Sequence, residues 1–386
     1  MSCLHHETLP TELWLEIFGR LDDSAHRYSV SHAPFQPIPG IASEGHVGSD
    51  FAAVVLVCRN WQAWALGLLY RHLKLSPSRS EAIGVHRGYG RWVRRAVVPY
   101  STTSTETCKP MPSTEILGLC PNLEVLVRPP YAPTPLRNLK FEFDSTCPPL
   151  ASLKRLDFWN HLEASRSGGI NSLTVVLAAA PNLEYLFVGG SMGGPFHGIG
   201  TTRINLPRLH TLRLAFANAL LLRDIVHRWT LPALDNLVVD SPMPAVAMVW
   251  ETMGPQLRVV EFSRHLRFLL NQTLTPCLRG CPSVCCLNYY VFITMPPEVT
   301  PEAVFPSVTS IGIHLSENPY LEAREAEWAH LQQHFDAFAG GMFPNLRRLR
   351  LFGARESLLA DVRFAAVHQR LSDRNCLLEF PDGTPV

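Results

Sequence analysis

"APNLEYL", residues 180–186, returns in outline along most of the chain. "CPNLEVL" stands at 120–126, "LASLKRL" at 150–156, "LPRLHTL" at 206–212 and "LPALDNL" at 231–237. "GPQLRVV" follows from 254, "CPSVCCL" from 281, "FPSVTSI" from 305 and "FPNLRRL" from 343. The first apolar anchors of these segments are Leu123, Leu153, Leu183, Leu209, Leu234, Leu257, Val284, Val308 and Leu346, spaced 23 to 38 residues apart. Self-similarity at such a period marks a stacked-repeat architecture.

Each unit reads as a short strand, because apolar residues alternate after the anchor: Leu186 and Val188, Leu212 and Leu214, Leu237 and Val239, Ile311 and Ile313, Leu349 and Leu351. A Pro ahead of the strand removes a backbone donor where none is yet needed. Helical patterns separate the strands: "LTVVLAAA" precedes Pro181, "LLLRDIVHRW" precedes Pro232, and Trp328, Leu331, Phe335 and Phe338 line one helix face before Pro344. One strand and one helix cannot bury an apolar face alone, so neighbours must stack. The expected fold class is therefore α/β, a curved parallel sheet with helices outside it. These segments resemble the leucine-rich repeat family in its loose L-x-x-L-x-L form, without the usual Asn position. The resemblance covers about residues 115 to 355 and implies a binding surface, with no statement of its ligand.

Two fragments precede the repeats. In "LPTELWLEIFGRL", residues 9–21, Pro10 suits a first helical turn. Leu13, Ile17 and Leu21 fall on one face with Trp14 and Phe18 beside them, an arc wide enough for a small core on one side and a partner on the other. In "LVCRNWQAWALGLLYRHL", Cys58, Trp61, Ala65 and Leu68 again share a face. Together the fragments resemble an F-box, the three-helix module that docks a substrate receptor on the Skp-type adaptor of a cullin-RING ubiquitin ligase. The matching positions are Leu9, Pro10, Glu12, Leu13, Ile17, Phe18 and Leu21, then Val57, Cys58 and Trp61. The resemblance implies adaptor contact through Leu9, Pro10, Leu13, Ile17, Phe18, Leu21, Val57, Cys58 and Trp61. Between the fragments, residues 22–50 depart from the family. Rich in Ser, His, Pro and Gly and without period, they read as a flexible surface insertion. Loop closure costs only about 0.6 kcal/mol per doubling of length, so the insertion need not destroy the three-helix packing.

The organisation expected is an F-box-like module over 1–75, a connecting segment with a first irregular repeat over 76–114, and an irregular leucine-rich-repeat solenoid with its C-terminal cap over 115–386. The resemblance implies a non-catalytic substrate receptor of an SCF-type ligase, with the adaptor and, through it, cullin as partners and a protein target on the repeats. A non-ligase repeat scaffold is the alternative. For target capture, the strand positions between the inward anchors are the candidates: Asp157, Trp159, Arg213, Asp240, Glu261, Asn288, Tyr290, His314 and Arg350. They mix aromatics with both signs of charge, as protein-binding surfaces do.

Composition narrows the remaining classes. Charged residues make up 17% of the chain, below the roughly 25% of ordinary domains. The net charge of +1 comes from 34 basic and 33 acidic residues intermixed, with no basic block to meet a nucleic-acid backbone. The longest apolar run, "FAAVVLVC", is too short to span a bilayer, and "MSCLHHETLP" has no signal-peptide character. A soluble cytoplasmic or nuclear protein is expected, and its ten Cys are expected as reduced, packed thiols. "CLRGCPSVCC" lacks paired C-x-x-C spacing for zinc. "GGSMGGPFHGIG", 189–200, lacks the ending of a phosphate loop, and "HLQQH", 330–334, lacks the Glu of a metalloprotease helix. His330 and His334 are expected as surface residues flanking a helix. No catalytic constellation, cofactor or metal is expected.

Overall fold

A computed structural model describes residues 9–21, 29–40, 53–75, 88–100, 113–130, 146–161, 168–190, 203–215, 219–242, 245–318, 321, 324–353 and 356–386. The chain divides into two compact units: Met1–His32, Pro37–Leu209 and Thr230–Pro232 form unit 1, while Ala33–Gln36, His210–Trp229 and Ala233–Val386 form unit 2. Most of the "GGSMGGPFHGIG" stretch, from 191 on, lies outside the described residues.

Unit 1 opens with helix α1 (Thr11–Leu21), whose first turn is closed by the Leu13 and Trp14 N–H groups donating to Pro10 O. Helix α2 (Arg59–Leu69) starts at Cys58, whose sulfur accepts the Trp61 N–H at 3.5 Å and so satisfies one of the free donors of a helix start. Strands β1 (His72–Lys74), β2 (Arg95–Val97), β3 (Val125–Arg128), β4 (Arg155–Trp159) and β5 (Tyr185–Gly189) pair in that order, all parallel. Helices α3 (Ser113–Gly118) and α4 (Leu173–Ala179) lie in the connections to β3 and β5. The register follows the repeat: Ala96, Leu126, Leu156 and Leu186 stand side by side, each fully buried.

Unit 2 repeats the plan with β7 (Thr211–Ala215), β9 (Asn236–Val239), β10 (Val259–Phe262), β11 (Cys286–Tyr290), β12 (Ser310–His314), β13 (Arg348–Phe352) and β14 (Leu377–Glu379), each parallel to the next. Two-residue strands β6 (Ile204–Asn205) and β8 (Trp229–Thr230) stand outside these ladders. Parallel neighbours need a crossover. Here α5 (Ala219–Arg228), α6 (Val246–Met253), α7 (Leu274–Gly280), α8 (Arg324–Ala339) and α9 (Glu356–Leu359) with α10 (Val362–Ser372) lie in the crossovers. Leu212, Leu237, Val260, Leu287, Ile311, Leu349 and Leu378 form one continuous apolar row. The chain is thus α/β, built on large parallel ladders.

The Pro-Asn pairs of the repeat have a structural use. Asn122, Asn182 and Asn345 each donate from Nδ2 to a carbonyl of the preceding repeat, at Arg91, Ala151 and Pro306, all at 2.8 Å. A side-chain amide here takes up a turn carbonyl that the parallel ladder leaves over.

On α8, Trp328, Leu331, Phe335 and Phe338 are buried, as their spacing requires. The two histidines depart from the surface placement expected of them. His334 is completely enclosed, its Nδ1 2.9 Å from the Tyr289 hydroxyl and its Nε2 3.2 Å from Thr294 O, and half-buried His330 lies 2.9 Å from Val291 O. The chain after β11 turns carbonyls toward this helix face, and the imidazoles satisfy them. Burial, with His330 beside it, holds His334 well below the ordinary histidine range despite the Thr294 hydrogen bond.

Candidate functional site

Within unit 1 the N-terminal helices divide the roles of their apolar residues. Phe18 (1% exposed) and Ala65 form a closed core, with Trp14, Val54, Val55, Trp61, Trp64, Leu68 and Leu69 packed around it. Trp14, Phe18 and Trp61 pack in tilted and edge-on contacts with ring centroids 4.7 to 5.8 Å apart. Of the residues assigned to adaptor contact, Phe18 and Trp61 therefore hold the module together, and Cys58 caps α2. Leu9, Pro10, Leu13 (44% exposed), Ile17 (42%) and Val57 (60%) face outward. Leu13 and Ile17 are one turn apart on the same side of α1. The Leu21 side chain lies outside the described residues. Leu15 and Leu56 are exposed as well, although the resemblance did not single them out.

The candidate target-capture positions are mostly not solvated. Asp157, Arg213, Asp240, Glu261 and Asn288 are buried, whereas Trp159, Tyr290, His314 and Arg350 are half-buried. Part of the cover is supplied by residues 29–40, from the stretch read as a flexible surface insertion. In unit 1, Arg155 donates from Nη1 to Ser29 O at 2.8 Å, and its Nε lies 3.1 Å from Asp157 Oδ1. Trp159 Nε1 donates to Pro39 O at 2.6 Å, and the same indole packs against Gly40. The attachment uses main-chain carbonyls, which any residue type supplies. Composition therefore gave no warning of it.

In unit 2 the corresponding positions converge on Phe35. Its N–H points at the Glu261 carboxylate, 3.1 and 3.2 Å from the two oxygens. Its ring meets Tyr290 at 5.1 Å, His314 at 5.2 Å and Phe352 at 4.6 Å between centroids. Arg213 donates from Nη2 to Gln36 O at 3.0 Å and holds both Asp240 oxygens at 2.7 Å. The ladder register explains the convergence: Tyr290, His314 and Phe352 are direct neighbours on β11, β12 and β13, and Glu261 pairs with Asn288 one pleat earlier.

Two glycines make the room. Between Asn288 and Arg350 the register places Gly312, where a Cβ would come 2.4 Å from Asn288 Oδ1. At Gly353 the backbone is left-handed (φ +59°) and a Cβ would come 2.3 Å from the His314 ring. The Ser316 N–H, 3.1 Å away, donates to His314 Nδ1, consistent with a neutral imidazole whose affinity for protons is lowered by burial and by Arg264. Burial, together with the Glu261 charge, raises the Tyr290 phenol.

Arg350 pairs with Glu379 at 2.6 Å. Sequence reasoning missed Arg155, Phe35 and Phe352. Phe352 was accessible from the repeat alignment, being two residues beyond Arg350 as Tyr290 is beyond Asn288; for Phe35 the only signal is a lone aromatic among Pro, Ser and Ala.

Among the described residues no group of three His, Cys, Asp or Glu is placed to hold a metal ion, and no helix is long and apolar enough to cross a membrane. The described cysteines are free thiols; Cys120, Cys277, Cys281 and Cys376 are buried. Compared with known proteins, the chain matches no family model and no curated sequence.

Proposed function

We propose that the protein is the substrate-recognition subunit of an SCF-type ubiquitin ligase, an F-box-like module of three helices followed by an irregular leucine-rich-repeat solenoid. The module docks on the Skp-type adaptor, and the repeats hold a protein target near the conjugating enzyme, which lends proximity to another subunit's chemistry. The observation that carries this reading is the closed aromatic core of the module combined with the outward Leu9, Leu13, Ile17 and Val57. Large apolar side chains left outside a satisfied core favour a partner surface, and a few of them dominate most interfaces.

The test is co-purification with a Skp-type adaptor. The wild-type chain carries the adaptor, and the Leu9→Ala/Pro10→Ala/Ile17→Ala variant loses it while melting as before, because none of the three is buried. A folded wild-type chain that never carries the adaptor is instead a non-ligase repeat scaffold.

A further inference from the structure

The strand face around Phe35 has the features of a peptide-recognition site with an occupant already in it. A buried carboxylate, Glu261, receives a main-chain N–H, and a buried guanidinium, Arg213, donates to the next main-chain carbonyl. Three rings pack against one half-buried aromatic side chain. Main-chain bonds that fix an extended or turning segment, plus one pocket that selects a side chain, are how sheet surfaces read peptides.

The occupant fits imperfectly in two ways. Phe35 sits at φ +62°, in a turn at Pro34–Phe35 where the left-handed position ordinarily belongs to Gly or Asn. A bulky L residue there is strained. Asn288, on the same face next to Glu261 and Gly312, is buried, and its Nδ2 has no hydrogen-bond partner among the described residues. A buried donor in that state is destabilising until something accepts from it. A ligand supplied in trans escapes the first penalty, because its aromatic residue need not be left-handed, and one that sets a carbonyl against Asn288 relieves the second.

We propose that this face of unit 2 is a binding site for a peptide segment of the target, one with an aromatic side chain seated between Tyr290, His314 and Phe352 and its main chain held by Glu261 and Arg213. Ala33–Gln36 is the chain's own occupant of that site and competes with the target. The inference deepens the target-capture half of the proposed function and rests on that half, while being independent of adaptor docking. An intramolecular competitor acts at an effective concentration on the order of millimolar, so the wild-type site admits only ligands that outcompete it.

Fluorescence polarisation tests this on the full chain, with a labelled synthetic peptide of residues 29–40 as the probe. Phe35→Gly removes the ring yet suits the left-handed backbone. It binds the probe at least tenfold more tightly than wild type, and adding Tyr290→Ala returns binding to the wild-type level. Phe35→Leu, which keeps part of the apolar volume, falls between wild type and Phe35→Gly. A Phe35→Gly chain that is folded by circular dichroism and binds no better than wild type overturns the proposal. So does unfolding of both Phe35 variants, because Phe35 is then core and not occupant. Adaptor co-purification from the same samples is a separate readout: adaptor loss with probe binding retained refutes the ligase reading alone, and the reverse refutes the peptide site alone.

Discussion

Asp240→Ala puts the buried charge pair of unit 2 to a quantitative test. Arg213 Nε and Nη2 each lie 2.7 Å from an Asp240 oxygen, and both side chains are 1% exposed. Removing the carboxylate strands a guanidinium in a dry site, which costs about 3–5 kcal/mol. For a unit of this size, at about 2–4 °C per kcal/mol, the melting temperature falls by about 6–20 °C. Arg213→Met/Asp240→Leu removes both charges at similar volume, and such replacements are often neutral; the double variant therefore recovers most of the loss. It still lacks the bond to Gln36 O, so residues 33–36 are held less firmly than in wild type. Thermal melts of the three chains, with hydrogen exchange on β7 and β9 to place the loss, give the comparison. A single variant melting within about 2 °C of wild type refutes the reasoning, as does a double variant no better than the single one.

Two further outcomes follow from buried titratable groups. His334 binds a proton far less readily in the folded chain than the ordinary value of about 6.5, so below that pH the unfolded state takes up protons that the folded state refuses. Its contribution to stability is complete above about pH 6.5 and declines by about 1.4 kcal/mol per pH unit below it; denaturant titrations between pH 5 and 8 show the slope, and His334→Gln flattens it. Burial pushes the thiols of Cys120 and Cys376 up to about 11, leaving almost no thiolate at neutral pH. Mass spectrometry after iodoacetamide treatment at pH 7.5 finds these two unlabelled in the folded chain and labelled in denaturant.

The ladders were legible because each anchor fills the same rung. Leu126, Leu156 and Leu186 recur at the same point of the motif and stand abreast in the sheet. Helix faces such as Trp328, Leu331 and Phe335 followed from spacing alone. What stayed hidden depends on partners far away in sequence. Arg213 and Asp240 are neighbours only once the register of β7 and β9 is known, and His334 is buried because carbonyls after β11 need it. Residues 29–40 were the hardest to read. They have no period, and strand residues hold them through main-chain atoms: Ser29 O and Pro39 O in unit 1, Gln36 O and the Phe35 N–H in unit 2, atoms that nearly every residue type supplies. The N-terminal helices were half legible: their apolar arc was evident, but the division between Phe18 inside and Ile17 outside required the packed core.

The most direct measurement of the central claim is hydrogen exchange of the full chain with and without a purified Skp-type adaptor. Docking through the helical module predicts new protection at residues 9–17 and at Leu56–Val57, where the exposed apolar side chains lie, with exchange in β10 to β13 unchanged. No protection at saturating adaptor, or protection confined to the strands, would contradict it.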